Sequence, residues 1–211
     1  MRLGITQRVE VIPSYGERRD CLDQNWFLFF ERLGLNVIPV PNALKDPVHF
    51  FEKNDLNGFI LSGGNDISSL PDSSNPAPER DKTEKFILEY ARSKKLPVIG
   101  VCRGLQVMNL FFNGALMRAE GHAGTRHGVA NRSDNVNFYP YKEVNSFHNY
   151  VIAKHNLGEG LIPILSSNDA FIEAFQHEKL PWTGIMWHPE REHPFNEYDI
   201  ELFKKIFNIT F

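Results

Sequence analysis

The chain has 211 residues, of which 42% are hydrophobic, and a formal net charge of −3. That length is enough for one sizeable hydrophobic core, and we expect a single domain over residues 1–211. The slight negative charge, without a dominant basic stripe, argues against nucleic-acid binding. No stretch reaches the ~20 apolar residues that cross a bilayer, and the two cysteines make no disulfide framework. We therefore expect a cytoplasmic protein with no membrane association.

The first half of the chain alternates strand-like apolar runs with stretches of helical spacing. The predicted strands are Leu3–Thr6, Leu35–Val40, Gly58–Leu61 and Leu96–Val101. The predicted helices are Asp20–Leu33, Val48–Lys53, Glu79–Lys94 and Gly104–Phe112. The Pro- and Ser-rich stretch Leu70–Pro78 is expected to be a loop. This alternation predicts an α/β fold with a mainly parallel sheet covered by helices on both faces.

The second half has shorter extended pieces separated by polar loops. They are Ala115–Arg118, Asn135–Tyr139 and Ala170–Gln176. A last buried strand is predicted over Trp182–Trp187, and a closing helix over Asp199–Ile206. We interpret the short pieces as antiparallel strands added beside the parallel sheet of a three-layer α/β/α domain.

Cys102 follows an apolar strand and lies between Gly100 and Gly104. Glycines on both sides allow the sharp turn that a nucleophile elbow requires. The sulfur would lie at a helix N-terminus, where the helix dipole favours thiolate over thiol. The backbone N–H of Arg103 would then face the position of a substrate oxyanion. This arrangement is suited to acyl transfer.

Two further motifs follow predicted strands, at the edge where parallel sheets bind their ligands. His188 could take the proton of Cys102, and Glu190 could orient the imidazole. Gly64, in the stretch Ser62–Asp66, could supply a second oxyanion N–H. Alone, each motif is more often a buried cysteine, a core histidine or a simple turn. Their joint occurrence after three strands favours a catalytic site.

These residues resemble the class I glutamine amidotransferase family. Its nucleophile motif, Gly-x-Cys-x-Gly-x-Gln, is matched at every position up to Gln106, and its His-Pro-Glu motif is present at 188–190. The resemblance covers nearly the whole chain. It implies a flavodoxin-like sheet and attack of Cys102 on a γ-glutamyl amide. A thioester forms, the amine leaves, and water releases glutamate.

Within the family, the chain is most similar to the free-standing γ-glutamyl hydrolases, which include γ-glutamyl-γ-aminobutyrate hydrolases. The stretch Val144–His148 resembles a Val-x-Ser-x-His-His segment that lines the glutamyl pocket of that branch. The resemblance makes Gln106, Ser146 and His148 candidate substrate contacts. Asn149 replaces the second histidine and Met186 replaces a frequent Gln. These two differences leave open which leaving group the site accepts.

The leaving group is indicated by arginines near the predicted site. The stretch Gly121–Gly128 is either a solvated loop or a rim on which Arg126 and His127 bind an anionic leaving group. Three more arginines follow the first strand, and arginine suits phosphate oxygens: they are Arg8, Arg18 and Arg19. The whole chain also resembles hydrolases of capsule phosphoramidate synthesis, which release glutamate and cytidine diphosphoramidate.

Two other interpretations stay open: a glutaminase subunit that supplies ammonia to a separate synthetase, and a non-catalytic thiol sensor. A sensor would not need the glutamate-oriented histidine. We expect a small-molecule substrate, no cofactor, and a monomer or homodimer. The eight histidines show no compact spacing such as His-x-x-x-His, so no metal site is expected.

Overall fold

A computed structural model describes residues 1–209 as five α-helices around a nine-stranded sheet, with two short two-stranded ribbons. The strands are β1 Arg2–Thr6, β2 Arg8–Ile12, β3 Glu17–Cys21, β4 Asn36–Val40, β5 Phe59–Leu61, β6 Val98–Val101, β7 Met117–Arg118, β8 Ala123–Asn131, β9 Glu143–Phe147, β10 Tyr150–Val151, β11 Leu161–Ser167, β12 Ile172–His177 and β13 Trp182–Ile185. The helices are α1 Gln24–Arg32, α2 Pro47–Lys53, α3 Pro78–Lys94, α4 Arg103–Phe111 and α5 Glu197–Ile206.

The main sheet has the strand order β4-β1-β5-β6-β13-β12-β11-β8-β9. The first five strands in this order are parallel, and the following pairs are antiparallel. The predicted α/β architecture, with antiparallel strands added from the second half of the chain, is confirmed. Within residues 1–209, no helix is both long and apolar enough to cross a membrane.

Helices cover both faces of the sheet because the central strands are apolar on both sides. On one face, α1 and α5 bury Trp26, Phe29 and Phe203 against the sheet. On the other face, α2, α3 and α4 form a second core that contains Phe51 and Leu105. The parallel strands are therefore held between two apolar layers, which fixes the position of their carboxyl ends.

Near the N-terminus, the prediction of a helix from Asp20 to Leu33 began too early. Asp20 and Cys21 belong to β3, which forms a hairpin with β2 that was not predicted. The hairpin turns at Gly16, whose φ of +70° suits glycine. Helix α1 starts only after Asp23, whose side chain caps the helix by accepting a hydrogen bond from the Asn25 N–H.

In the second half, the expected extended piece Asn135–Tyr139 is wrong. It contains a short 3₁₀ helix, Val136–Phe138, because the Asn135 side chain accepts the Asn137 N–H and closes a turn. The stretch Gly121–Gly128, interpreted as a loop or rim, lies mostly in β8, which pairs with β9 and β11. Its strand character comes from backbone pairing and not from apolar alternation. Strand β11 was also missed.

The carboxyl ends of the central parallel strands meet at one edge of the sheet. After β1 and β5, the Ser62 N–H donates to Thr6 Oγ1 at 3.0 Å. After β6 and β13, the Cys102 N–H donates to the Ile185 carbonyl at 2.8 Å. The glycine loop, the cysteine and the histidine motif that were predicted at strand ends therefore lie at the same edge.

Candidate active site

Cys102 occupies the tight turn between β6 and α4. Its φ of +52° and ψ of −104° are rare for a residue with a side chain, and it caps α4. A Cβ on Gly104 would collide with the Leu61 carbonyl, and one on Gly100 would lie 2.6 Å from the Gly104 backbone. The two glycines therefore allow α4 to approach the sheet closely. The predicted elbow is present.

His188 and Glu190 lie next to the cysteine and are both buried. His188 Nδ1 is 2.7 Å from Glu190 Oε1, and the imidazole lies close enough to Cys102 for that side chain to influence its pKa. Burial by itself lowers the pKa of His188, but the charges of Cys102 and Glu190 and hydrogen bonds to both raise that pKa to about 9. His188 is therefore protonated at neutral pH, which places a positive charge beside the Cys102 sulfur.

Asn145, in β9, hydrogen-bonds both backbone polar groups of His188. Its Nδ2 donates to the His188 carbonyl and its Oδ1 accepts the His188 N–H, both at 2.8 Å. The same Nδ2 donates to Glu192 at 2.7 Å. The predicted segment Val144–His148 thus reaches the site, although its asparagine had been assigned no role.

The glycine loop after β5 is hydrogen-bonded by Arg80, a fully buried residue of α3. Arg80 was not predicted to belong to the site. Arg80 donates to the carbonyls of Ser62, Gly63 and Gly64 at 2.5, 3.0 and 2.5 Å. A trans peptide points its N–H opposite to its carbonyl. The Gly64 N–H therefore points away from Arg80, which leaves it free for the oxyanion role that was predicted for it.

Arg103, the residue after the cysteine, is anchored through its own side chain. Its guanidinium pairs with Asp81 and Glu84, and Glu84 also pairs with Arg80 at 2.9 Å. Burial raises the pKa of Glu84, but the guanidiniums of Arg103 and Arg80 lower it below its usual value. Since first-turn N–H groups lack partners within a helix, the Arg103 N–H is available beside Cys102. Arg80 and Glu84 are four residues apart on a predicted helix, and this spacing is the sequence signal from which their ion pair could have been predicted.

The predicted glutamyl contacts lie close to the Cys102 turn. Some of their hydrogen-bonding groups already bond to other parts of the protein. The Gln106 side-chain nitrogen donates to the Tyr150 carbonyl at 3.0 Å and contacts Met186 Sδ at 3.8 Å. The Ser146 hydroxyl donates to the His122 carbonyl. Asn149 is exposed. Met186 therefore contacts the Gln106 amide, whereas Asn149 does not line the buried part of the site.

His148 and His127 converge with His122 and Glu173, two residues from different parts of the sheet. Burial, followed by repulsion from His122 and His127, lowers the pKa of His148 to about 3. Burial and the charges of Asp169 and Cys102 raise the pKa of Glu173 to about 8. The spacing of histidines along the chain does not reveal this group, because its members come from separate segments.

Arginines predicted at the mouth are paired with carboxylates. Arg126 pairs with Glu143 and Glu192, the second at 2.9 Å, and is half-exposed. Arg18 pairs with Glu79 and Arg19 with Glu17. Arg8, which was among the predicted arginines, lines the cavity beside His188 and Gly64 together with Arg191, which was not predicted. Each of these two also pairs with a carboxylate, Arg8 with Glu10 at 3.1 Å and Arg191 with Glu190 at 3.9 Å.

Comparison with known proteins identifies the family. The profile of the family described as Peptidase C26 matches residues 3–190. The chain belongs to this family of class I glutamine amidotransferases. Family membership makes it a hydrolase that acts on γ-glutamyl amides. The resemblance inferred from the motifs is confirmed.

Individual relatives cover almost the whole chain. A γ-glutamyl-CDP-amidate hydrolase of Campylobacter jejuni is 36% identical over 99% of this chain and 98% of its own length. One subunit of the glutamine-hydrolysing GMP synthase of Methanocaldococcus jannaschii is 30% identical over 82% and 83%. The crystal structure of a GMP synthase subunit from Thermoplasma acidophilum has a TM-score of 0.71 and 20% identity, with 99% and 92% coverage. This last likeness shows the fold.

Proposed function

We propose that the chain hydrolyses a γ-glutamyl amide through a thioester on Cys102. The thiolate attacks the γ-carbonyl carbon, and the resulting oxyanion accepts the N–H groups of Gly64 and Arg103. The C–N bond then breaks as His188 donates its proton to the leaving nitrogen. His188 next removes a proton from water, which attacks the thioester and releases glutamate. Glu190 orients the imidazole throughout.

One observation carries this proposal: Cys102 stands in a strained elbow beside His188, whose Nδ1 is 2.7 Å from the buried Glu190 carboxylate. The strain has a functional reason, because it places the sulfur at the start of α4. The Arg80 contacts that aim the Gly64 N–H support the same reaction. A simple thiol sensor would need neither the oriented imidazole nor this loop.

For the substrate, we propose γ-glutamyl-CDP-amidate, which would be cleaved to glutamate and cytidine diphosphoramidate. Full-length similarity to the Campylobacter hydrolase supports this choice, and with it a role in capsule synthesis. The mouth of the site supports it too. Arg8 and Arg191 line the cavity beside His188, and Phe147 is an exposed ring 5.7 Å from the imidazole. Guanidiniums suit a diphosphate, and an exposed ring suits a stacked base.

A glutaminase that supplies ammonia to a synthetase is the second candidate, favoured by the similarity to the GMP synthase chain of Methanocaldococcus. The two candidates differ in the leaving group. Purified protein should release glutamate from γ-glutamyl-CDP-amidate much faster than from glutamine or γ-glutamyl-γ-aminobutyrate. Glutamine hydrolysis that equals or exceeds turnover of the nucleotide substrate would overturn the assignment in favour of the glutaminase.

The leaving-group contacts are tested by matched arginine variants. Arg8→Gln and Arg191→Gln should each lower kcat/KM for the nucleotide substrate by about ten- to a hundredfold, as expected for a charge-assisted hydrogen bond. The same changes should barely affect a neutral γ-glutamyl amide. Arg126→Gln is the matched comparison, because Arg126 does not line this cavity and pairs with two carboxylates, whereas Arg8 and Arg191 line it and pair with one each. Equal losses on both substrates would show that Arg8 and Arg191 support the fold instead.

A further inference from the structure

A cluster of three histidines and one glutamate lies beside the candidate active site and takes part in no chemical step of the proposed reaction, although His148 and His127 were predicted to contact the substrate. It consists of His122, His127, His148 and Glu173, and one ligand-type atom of each lies within 4.8 Å of those of the others. His122 lies just before β8, His127 is in β8, His148 follows β9, and Glu173 is in β12. We refer to these four residues as the histidine cluster.

Glu173 carries the first part of the argument. Its side chain is completely buried, and neither carboxyl oxygen has a hydrogen-bond partner among the described residues. A buried carboxyl group without partners costs free energy, so such a group calls for an explanation. Nε2 of His148 lies 3.9 Å from Glu173 Oε1, which is too far for a hydrogen bond.

The imidazole of His148 has an unpartnered nitrogen that faces the Glu173 carboxyl group. Its Nδ1 lies 3.1 Å from the Tyr150 carbonyl oxygen, which can only accept. Nδ1 therefore carries the proton, and Nε2 is an acceptor. This Nε2 is buried and also has no partner among the described residues. Two buried groups without hydrogen-bond partners among the described residues thus face each other at 3.9 Å.

His122 is oriented in the same way by Asp169. Its Nε2 lies 3.0 Å from Asp169 Oδ2, so Nε2 donates and Nδ1 carries the lone pair. That Nδ1 accepts a hydrogen bond of 3.0 Å from Nε2 of His127, a contact that a bound ion would replace. A carbonyl or carboxylate on the far nitrogen is the usual device that orients a metal-binding histidine. Both His122 and His148 have such a partner.

We propose that the histidine cluster binds a divalent transition-metal ion of the zinc type. Three imidazole nitrogens and one carboxylate oxygen match the ligand types and the coordination number of Zn²⁺. The ion would supply the positive charge that Glu173 lacks. Ligand atoms of a tetrahedral zinc site are about 3.4 Å apart, so the side chains need to move inward by roughly one ångström.

The test is zinc binding to the full chain in a Cys102→Ala background, which removes the neighbouring thiol as a competing ligand. After chelator treatment, equilibrium dialysis against Zn²⁺ should load about one ion per chain. Glu173→Gln keeps the shape of the side chain and should weaken binding at least tenfold. His155→Gln is the matched control, because His155 is exposed and lies outside the cluster; it should bind zinc like the parent.

A second variant keeps the test decisive if Glu173→Gln fails to fold. Asp169 lies on a turn with a half-exposed side chain, and Asp169→Asn should lower zinc affinity about 10- to 100-fold through His122. Co²⁺ gives a spectroscopic readout, since a four-coordinate ion absorbs visible light strongly. No stoichiometric loading of the parent, or equal loading in Glu173→Gln and Asp169→Asn, would overturn the proposal. In that case the cluster would be a purely structural or substrate-binding group.

Discussion

Nη1 of the buried Arg80 donates a hydrogen bond of 3.0 Å to the carbonyl oxygen of Gly63. Because the peptide is planar and trans, this contact turns the Gly64 N–H away from Arg80. A Cβ on Gly63 would lie 2.5 Å from the His188 ring, so the loop and the imidazole are in direct contact. In the proposed reaction, Arg80 would therefore be a positioning residue for the oxyanion donor of the loop.

Arg80→Lys keeps the buried charge but cannot reach three carbonyl groups at once. We expect kcat to fall about 100- to 1,000-fold, as for the loss of one oxyanion donor, while KM changes little. Steady-state kinetics on a γ-glutamyl amide measure both constants. Arg92→Lys, an exposed arginine of the same helix, is the control and should behave like the parent. An unchanged kcat in a folded Arg80→Lys protein would remove Arg80 from the mechanism.

His188 and Glu190 should differ in the size of their contributions. His188→Asn should lower kcat/KM about 10²- to 10⁴-fold, since a general acid–base group is lost. Glu190→Gln should cost less, because Glu190 acts only through its 2.7 Å contact with the imidazole. Kinetics of the two single variants make the comparison. If Glu190→Gln were the more damaging change, the assigned roles would be reversed.

The pH profile of the reaction should have an alkaline limit set by His188. Its pKa is raised to about 9 by the charges and hydrogen bonds of Cys102 and Glu190, against the lowering effect of burial. The imidazolium that protonates the leaving amine is present below that pH and is lost above it. We expect kcat/KM to fall above about pH 9. In Glu190→Gln the fall should begin at lower pH; an unmoved limit would contradict the account.

Asp199 should make the stability of the protein depend on pH. Its Oδ1 accepts the Tyr141 hydroxyl at 2.8 Å and the Trp187 indole N–H at 2.9 Å. Burial nevertheless raises the pKa of Asp199 to about 7. Since this is above the value of an unfolded aspartate, about 3.9, its contribution is present at low pH and is lost as the pH rises through 7.

Asp199→Asn keeps an oxygen acceptor and removes this titration. The fall in the free energy of unfolding between pH 5 and 8 should therefore be smaller in the variant, by an amount on the order of a few kcal/mol at most. Chemical denaturation of both proteins at the two pH values measures the difference. Identical pH dependence in parent and variant would show that Asp199 is ionised in the folded protein.

Some parts of the site could be predicted from sequence and others could not, for physical reasons. Cys102, His188 and Gly64 each follow an apolar strand, and parallel strands bring their carboxyl ends together, so local signals were sufficient. Arg80 could not be placed in this way, because its role depends on which face of α3 meets the glycine loop. Nor could the histidine cluster, whose members meet only after β8, β9 and β12 have assembled in one sheet with β11 between β8 and β12.

The hairpin of β2 and β3 shows the same limit for the fold. Glu17–Cys21 is charged and mostly exposed, and it carries no alternation of apolar residues. Its strand character comes from pairing with Arg8–Ile12. This error mattered for the site, because the hairpin places Arg8 against Gly64, where a Cβ would meet the Arg8 side chain at 3.0 Å.

In the proposed reaction, the γ-glutamyl group becomes bound to Cys102 during turnover. Rapid acid quenching during hydrolysis of γ-glutamyl-CDP-amidate, followed by peptide mass spectrometry, detects this thioester. We expect one glutamyl adduct on the peptide that contains Cys102, and neither adduct nor turnover in Cys102→Ala. Turnover in Cys102→Ala near the rate of the parent protein, or an adduct on another residue, would contradict this mechanism.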